Sequence, residues 1–459
     1  MVLSHSAPVL ILIFVAGLGG TVEPSPAEEQ TSDVSARPDT VTVEQAVQEA
    51  LRANPTIQAA EQGATAAAAS VREARRAWFP EVSSQASYRR QSGNVDYTVE
   101  LPGQMGNQPV TFAPAILNRY STRASVTQPL FTGFRIPNRH DAAQARTEAA
   151  RAEVVSTEQT VAFKTRAAYW ELYRAQAQME ATAKSVALIE RRLTDVRNQR
   201  AVGQATEADV LRVKARRDRV RAERLRARNA VQRARRALND QMGRPLDASV
   251  ALADTVRISQ NERSADALVE RALARRPDLR ALQQTVQARA AEVEVAQSDW
   301  YPQVALTGSY LYARPNEQLF PPEDRFQGTW QAGVQLSWDL SLGFRTDAFT
   351  DRARAQWQQA RYELQDRRES VRAEVQTEAE SVAEARRAVR AATTSLESAR
   401  AAYRAVQSRF EEGMVVVSDL LDAERALREA RSHLAAAQAD YALARAALAR
   451  AVGRSVGQE

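Results

Sequence analysis

Ala50-Leu51-Arg52-Ala53-Asn54-Pro55, followed by Trp78-Phe79-Pro80-Glu81-Val82, returns later in the chain as Ala272-Leu273-Ala274-Arg275-Arg276-Pro277 and Trp300-Tyr301-Pro302-Gln303-Val304. Both proline pairs are 222 residues apart (55 to 277, 80 to 302). Further on the displacement becomes 210. Gly133-Phe134-Arg135 recurs as Gly343-Phe344-Arg345, Gly203 as Gly413, Asp209 as Asp419, and Gly243-Arg244 as Gly453-Arg454. A duplicated unit explains two constant displacements. The 12 residues that separate them fall in one place, between two strand-like runs of each copy. A segment that tolerates length change is an exposed loop. The segments that tolerate none read as long helices in fixed register.

Each copy opens with a short helix ending at a proline, residues 43–54 and 265–276, followed by a second over 56–78 and 278–300. Pro80 and Pro302 then stop helix and start strand. In the second copy Val304, Leu306, Gly308, Tyr310 and Tyr312 alternate with Ala305, Thr307, Ser309 and Leu311. Its partner sets Trp330, Ala332, Val334, Leu336 and Trp338 against Gln331, Gly333, Gln335, Ser337 and Asp339. The first copy shows the same period at Tyr120, Thr122, Ala124 and Val126, and more weakly over residues 82–91. One apolar and one polar face is the signature of a sheet between two media. Strands of about 9–11 residues suit a membrane barrel, with Trp330 and Trp338 as membrane-interface aromatics near the two ends of one apolar face. Residues 92–119 and 314–327, rich in Gly, Pro, Asn and Gln, read as the loops of unequal length.

A very long helical run follows in each copy, residues 138–201 and 347–412. Such a helix is on the order of 100 Å long, so it must project from any core. Leu172, Met179, Val186 and Leu193 recur every seven residues, as do Val375, Val382, Val389, Leu396, Tyr403 and Phe410. That spacing implies a left-handed supercoil. Tight turns at Gly203 and Gly413 send the chain back through 209–241 and 419–451, where Leu420, Leu427, Leu434, Tyr441 and Leu448 keep the seven-residue repeat. The returning helices are shorter than the outgoing ones. The helix before the strands makes up the shortfall if the two stack end to end into a second rod.

Composition excludes more than it proposes. The 459 residues carry a formal charge of +6, with three histidines and no cysteine. No disulfide, thiolate or zinc-thiolate site is possible. His5, His140 and His433 are too dispersed to suggest a metal site or a catalytic triad, and no phosphate loop appears. The chain therefore reads as neither an enzyme nor a cofactor or metal binder. The basic run 212–236 is interspersed with acids, among them Asp218 and Glu223, and holds no aromatic, so it reads as a solvated coiled-coil face with no nucleic acid as partner. Residues 9–15 are apolar and lead into small residues, which marks 1–19 as a secretory signal peptide. The expected organisation continues with a flexible mature terminus (20–41), a first repeat (42–243), a linker (244–263), a second repeat (264–453) and a tail (454–459).

Two hairpins supply four strands. Open sheet edges in lipid cost several kcal/mol for each bare backbone group, and single-chain barrels start at about 8 strands. The chain must oligomerise, and strand counting alone permits a dimer or a trimer.

Taken together these residues resemble the TolC-like outer-membrane efflux proteins. The resemblance runs from about Val43 to Arg454 and is carried by Asn54-Pro55, Pro80, Pro302, Tyr169-Trp170-Glu171-Leu172, and the turns Val202-Gly203-Gln204 and Glu412-Gly413-Met414. It implies a mainly α fold of two tandem repeats: a long periplasmic coiled-coil α-helical barrel, with four strands per chain entering a shared trimeric twelve-strand transmembrane β-barrel. It implies a homotrimer in the lipid of the bacterial outer membrane, a passive gated exit duct for tripartite efflux or type I secretion. The two turns would receive a periplasmic adaptor (a membrane fusion protein), itself coupled to an inner-membrane pump of RND or ABC type.

The family's acidic periplasmic gate falls on Asp419 and Asp422, which share a helix face at i and i+3. Asp419 also suits a helix amino terminus with Ser418 as cap. Asp422 corresponds to Arg212 in the first copy and so breaks the repeat, which makes it the stronger gate candidate. Two family features are missing. Val415 stands where better-known members carry an arginine, and Phe410 where a locking tyrosine is often found, so the closed tip is expected to rest on packing or to open more easily. The absence of cysteine separates the chain from the lipid-anchored branch. The competing readings are a peripheral coiled-coil scaffold and a basic nucleic-acid-binding helical protein. Cargo stays open among drugs, metals, polysaccharides and proteins.

Overall fold

Asn54 and Arg276 each end one helix and begin the next. In the computed structural model, helix α1 (Val43–Ala53) passes at extended Asn54 into α2 (Pro55–Arg76), and α5 (Ala265–Arg275) passes at Arg276 into α6 (Pro277–Gln297). Proline is tolerated as the first helical residue because its missing N–H would have no intrahelical partner there. The Asn54 carboxamide accepts from the Thr56 N–H at 2.9 Å and caps α2. Arg276 has no such side chain and is held instead by ion pairs. Its guanidinium reaches Asp278 at 2.9 Å and Glu374 at 2.8 Å and donates to the Ala451 carbonyl at 3.1 Å. The structure describes residues 39–92, 97–101, 108–113, 116–254, 256, 258, 264–320, 322–339 and 344–454. The expected signal peptide, most of the flexible terminus, Gly343 and most of the tail lie outside these residues.

The long helices are α3 (Arg135–Ala201, 67 residues) and α7 (Phe344–Glu411, 68 residues), returning as α4 (Glu207–Met242) and α8 (Val417–Ala451). At ~1.5 Å per residue each outgoing helix spans on the order of 100 Å. Both begin three residues earlier than the sequence suggests. Pro137 does not prevent this, since a proline in the first turn removes no hydrogen bond. The heptad positions are the seam: Leu172, Val186 and Leu193 are buried on α3, and Val375, Val389, Leu396 and Phe410 on α7.

The second rod forms as expected. Gly243, just past α4, lies against Ala53, the last residue of α1 before the chain turns into α2, and Gly453, just past α8, lies against Arg276 at the start of α6. Both glycines have positive φ (69° and 70°), and in each case the next N–H bonds back five residues, Arg244 to Asn239 and Arg454 to Ala449. That closure needs the left-handed conformation glycine adopts freely.

Strands β2 (Glu81–Arg90), β5 (Asn118–Phe131), β7 (Gln303–Arg314) and β8 (Gln327–Ser337) form one antiparallel sheet in the order β2-β5-β7-β8. Two features were not foreseen. The longer loop of the first copy is not structureless but holds a hairpin of β3 (Tyr97–Leu101) and β4 (Gln108–Ala113). Its Gly, Pro and Asn content hides the alternation on which a strand assignment rests. In addition, β1 (Asp39–Val41) pairs with β6 (Val250–Leu252), which falls in the expected linker. Three residues are too few to show a period, and tertiary contacts hold this pair. The fully buried Tyr169 hydroxyl lies 3.1 Å from both the Val41 carbonyl and Asp254 Oδ2, and accepts from the Asp254 N–H.

Candidate functional site

The two helix tips are built by the same backbone device and finished by different side chains. Gly203 (φ 79°) and Gly413 (φ 75°) follow the outgoing helices, and the next residues close back by five, Gln204 N–H to the Gln199 carbonyl and Met414 N–H to the Arg409 carbonyl, both at 2.8 Å. In the first copy Thr206 caps α4. Its hydroxyl accepts from the Asp209 N–H, and the Asp209 carboxylate accepts from the Thr206 N–H at 3.1 Å and hydroxyl at 2.6 Å. This reciprocal box satisfies two donors that a helix start leaves bare. The Thr206 hydroxyl, helped by Arg212, holds the Asp209 carboxyl below the usual carboxylate range. In the second copy the capping position is Val416, and no side chain caps α8. Ser418, the expected cap, lies inside the first turn instead, because the helix starts at Val417. The buried Val417 side chain favours that start by joining Leu420 and Leu421 in the apolar cluster of the tip. Asp419 therefore makes no capping box. Around the tips Val202, Met414 and Val416 are exposed apolar side chains, with Gln204, Glu412 and Gly413 exposed beside them.

Asp419 and Asp422 are both exposed on the same face of α8. Asp422 meets Arg425 at 3.2 Å, and no ion pair reaches Asp419 among the described residues. The equivalent first-copy face is neutral, because Arg212 pairs with Asp209 at 3.0 Å. Phe410 is buried among Val186, Ile189, Leu193 and Leu420, with Val415 packed against the same cluster. The Arg192 guanidinium sits 5.9 Å from the Phe410 ring centre and 3.8 Å from the Glu411 carboxylate. An apolar plug overlaid by one arginine thus occupies the place where a polar lock was absent from the sequence.

One group escaped the sequence reading. Glu424, one turn above the acid pair, is 5% exposed and accepts from the Ser185 hydroxyl of α3 at 2.7 Å. Burial pushes its carboxyl up, against the Ser185 hydrogen bond and the pull of Arg216, Arg428 and Arg192. Its signal was its spacing: four residues after Leu420 and three before Leu427, it stands on the buried seam.

In the sheet, directly paired residues point to one side. One face carries Val82, Ala86, Tyr88, Val126, Leu306, Tyr310, Trp330, Val334 and Leu336, and the other Gln85, Ser87, Ser125, Thr307, Ser309, Gln331 and Gln335. Aromatics gather at both ends of the apolar face. At the loop end Tyr88 meets Tyr120 at 5.0 Å, and Tyr312 stacks on Phe326 at 5.3 Å. At the helix end Phe134 packs edge-on against Phe131 at 5.5 Å and Tyr301 at 5.9 Å. A bulge between Pro129 and Phe131 turns Phe131 to that face. Trp330, 78% exposed, stands opposite Tyr310, whereas Trp338 follows β8 and donates its indole N–H to the Trp300 carbonyl at 3.3 Å. Among the described residues, strands β2 and β8 have no partner on their outer edges.

The profile of the family described as outer membrane efflux protein matches residues 46–244 and 268–454, one stretch in each copy. The chain belongs to that family. It is 26% identical over 316 residues to the outer membrane protein TolC of Vibrio cholerae, covering 68% of this chain and 72% of that protein. It is 24% identical over 383 residues to the outer membrane efflux protein BepC of Brucella suis, covering 82% and 83%. Its fold is shared with the outer membrane channel CmeC of Campylobacter jejuni, at a TM-score of 0.76 and 14% identity over 97% of this chain and 96% of that one. The protein is accordingly an outer-membrane channel and not an enzyme. Within its basic run Arg217 pairs with Asp218 at 2.7 Å and Arg221 with Glu190 at 2.5 Å.

Proposed function

We propose that three copies of this outer-membrane efflux protein close one barrel of twelve strands and continue below it as a helical duct through the periplasm, the exit of a tripartite efflux or type I secretion system. The observation that carries this reading is the sheet β2-β5-β7-β8, apolar on one face and bare on both outer edges. Lipid does not tolerate bare edges, and an edge of one chain is complementary in kind to the opposite edge of the next, which closes a ring when the rotation closes. Trp330 and Trp338 serve in this arrangement as interface aromatics at the two membrane boundaries.

The exposed apolar tips formed by Val202, Gly203, Gln204, Glu412, Gly413 and Met414 are the docking points for a periplasmic adaptor that links the duct to an inner-membrane pump. Asp419 and Asp422 form the periplasmic gate. Three copies set six carboxylates around one axis, where like charges crowd and cations are drawn in. The exposed Asp422–Arg425 pair offsets part of that field, and Asp419, which no ion pair reaches among the described residues, keeps its full charge. Replacing both acids, Asp419→Ala with Asp422→Ala, raises single-channel conductance in planar bilayers and weakens block by divalent cations added on the tip side. Unchanged conductance and unchanged block reject the gate.

A further inference from the structure

The polar face of the sheet is not evenly charged. Arg89 of β2 stands directly opposite Arg119 of β5, and Arg123, two rungs further along β5, stands opposite Gln85 and Leu311. All three belong to the polar face, in its loop-side half. Like charges directly opposite each other on neighbouring strands oppose folding, so this placement does not serve the stability of the sheet. The loop between β7 and β8 folds onto the same face. Leu311 and Ala313 are buried beneath it, and Asn316, fully buried, donates to the Gln327 carbonyl at 3.1 Å and to the Thr329 hydroxyl at 3.0 Å. Glu317 of this loop pairs with Arg119. No ion pair reaches Arg89 or Arg123 among the described residues, and the only other charge on this face of the four strands is Glu81, at the opposite, helix-side end. The apolar face carries charge only at its loop-side end, Arg90 on β2 and Arg314 on β7, the second paired with Asp324 at 2.8 Å.

We infer that the outer half of the barrel lumen is an anion-attracting exit, set by Arg89 and Arg123 with Arg119 held in reserve by Glu317, and that it favours cargo bearing carboxylate or phosphate groups. The inference rests on the duct reading, in which the charged face lines the lumen. Three arginines against one glutamate leave +2 per chain, hence +6 around a ring of three. Charges of one sign in a narrow aqueous passage with low-dielectric walls focus the field and enrich counter-ions. Guanidinium groups add planar, two-pronged recognition of carboxylate and phosphate. The tip carries the opposite sign in Asp419 and Asp422, so the duct is polarised from an acidic mouth to a basic exit.

The test is made on the whole protein in planar bilayers, in the Asp419→Ala, Asp422→Ala background so that the tip does not dominate selectivity. Two readouts are taken: the reversal potential in a potassium chloride gradient, and current block by citrate added from the barrel side. Arg89→Gln with Arg123→Gln shifts the chloride-to-potassium permeability ratio toward potassium by on the order of threefold or more and weakens citrate block by about tenfold. Arg89→Lys with Arg123→Lys keeps the chloride preference but weakens citrate block, because the point charge stays and the planar fork is lost. Glu317→Gln moves the ratio the other way. Open channels whose reversal potential and citrate block ignore the glutamine substitutions overturn the inference and leave the duct intact. Absence of any channel current from the parent protein defeats the duct reading itself.

Discussion

At the scale of single residues, the buried carboxyl of Glu424 has the clearest consequence. Its native pKa lies above the ordinary value of 4.5, burial being the largest cause. The folded protein thus holds this proton to a higher pH than the unfolded chain does. Stability from this group is present below about pH 4.5 and is lost as pH rises from there through the native pKa. Glu424→Gln keeps a hydrogen-bond partner for Ser185 but cannot ionise. The melting temperature of the wild type relative to this variant therefore falls as pH rises from 4.5 toward neutrality and then levels off. A difference that is flat across that range shows that Glu424 is not held protonated by its site. The same scale shows why Asp209 and Asp419 are not equivalent despite their register. Thr206 makes the first a capping residue, whereas Val416 offers the second no such capping bond.

Among elements, the four glycines that end the rods share one backbone shape but not one environment. A Cβ on Gly243 would lie 2.9 Å from the Ala53 side chain, whereas one on Gly203 meets nothing within 4 Å. Gly203→Ala is expected to cost only the left-handed backbone conformation, about 1–2 kcal/mol. Gly243→Ala is expected to cost about 1–3 kcal/mol more, because it also pushes α1 off the end of α4. Thermal unfolding of the two variants separates these contributions, and equal losses contradict the seating of the α1–α2 junction on the end of α4. The helices were legible because heptads at Leu172 to Leu193 and Val375 to Phe410 state their own period. The hairpin β3–β4 was not, being short and set among Gly, Pro and Asn, nor was the pair β1–β6, which is short and held by Tyr169 far away in sequence.

For the whole molecule, the open edges of β2 and β8 forbid a monomer in the bilayer. Light scattering of the protein extracted in mild detergent is expected to give a protein mass of three chains. Two chains would mean a ring of eight strands and would remove the six-carboxylate gate. The shared architecture of the two copies lets three chains approximate a tube of six similar units, with departures from that symmetry at the tips and the barrel loops among other places. Both proposed features sit at such departures: Arg212 against Asp422 at the tip, and Arg89, Arg119 and Arg123 on β2 and β5 against Leu311, Thr329 and Gly333 in the second copy.

The sequence by itself determined the duplication, the register of the long helices, the alternating strands, the turn glycines and the acid pair, since each is written in local periodicity or in a spacing of 210 or 222 residues. Only the tertiary structure decided which acid is a cap and which is free, that Phe410 sits in a plug under Arg192, that Glu424 is buried, and that three arginines share one face. Those properties depend on which side chains of distant helices and strands meet. Local spacing fixes direction along an element, whereas contact between elements is set by packing that no single stretch of chain encodes.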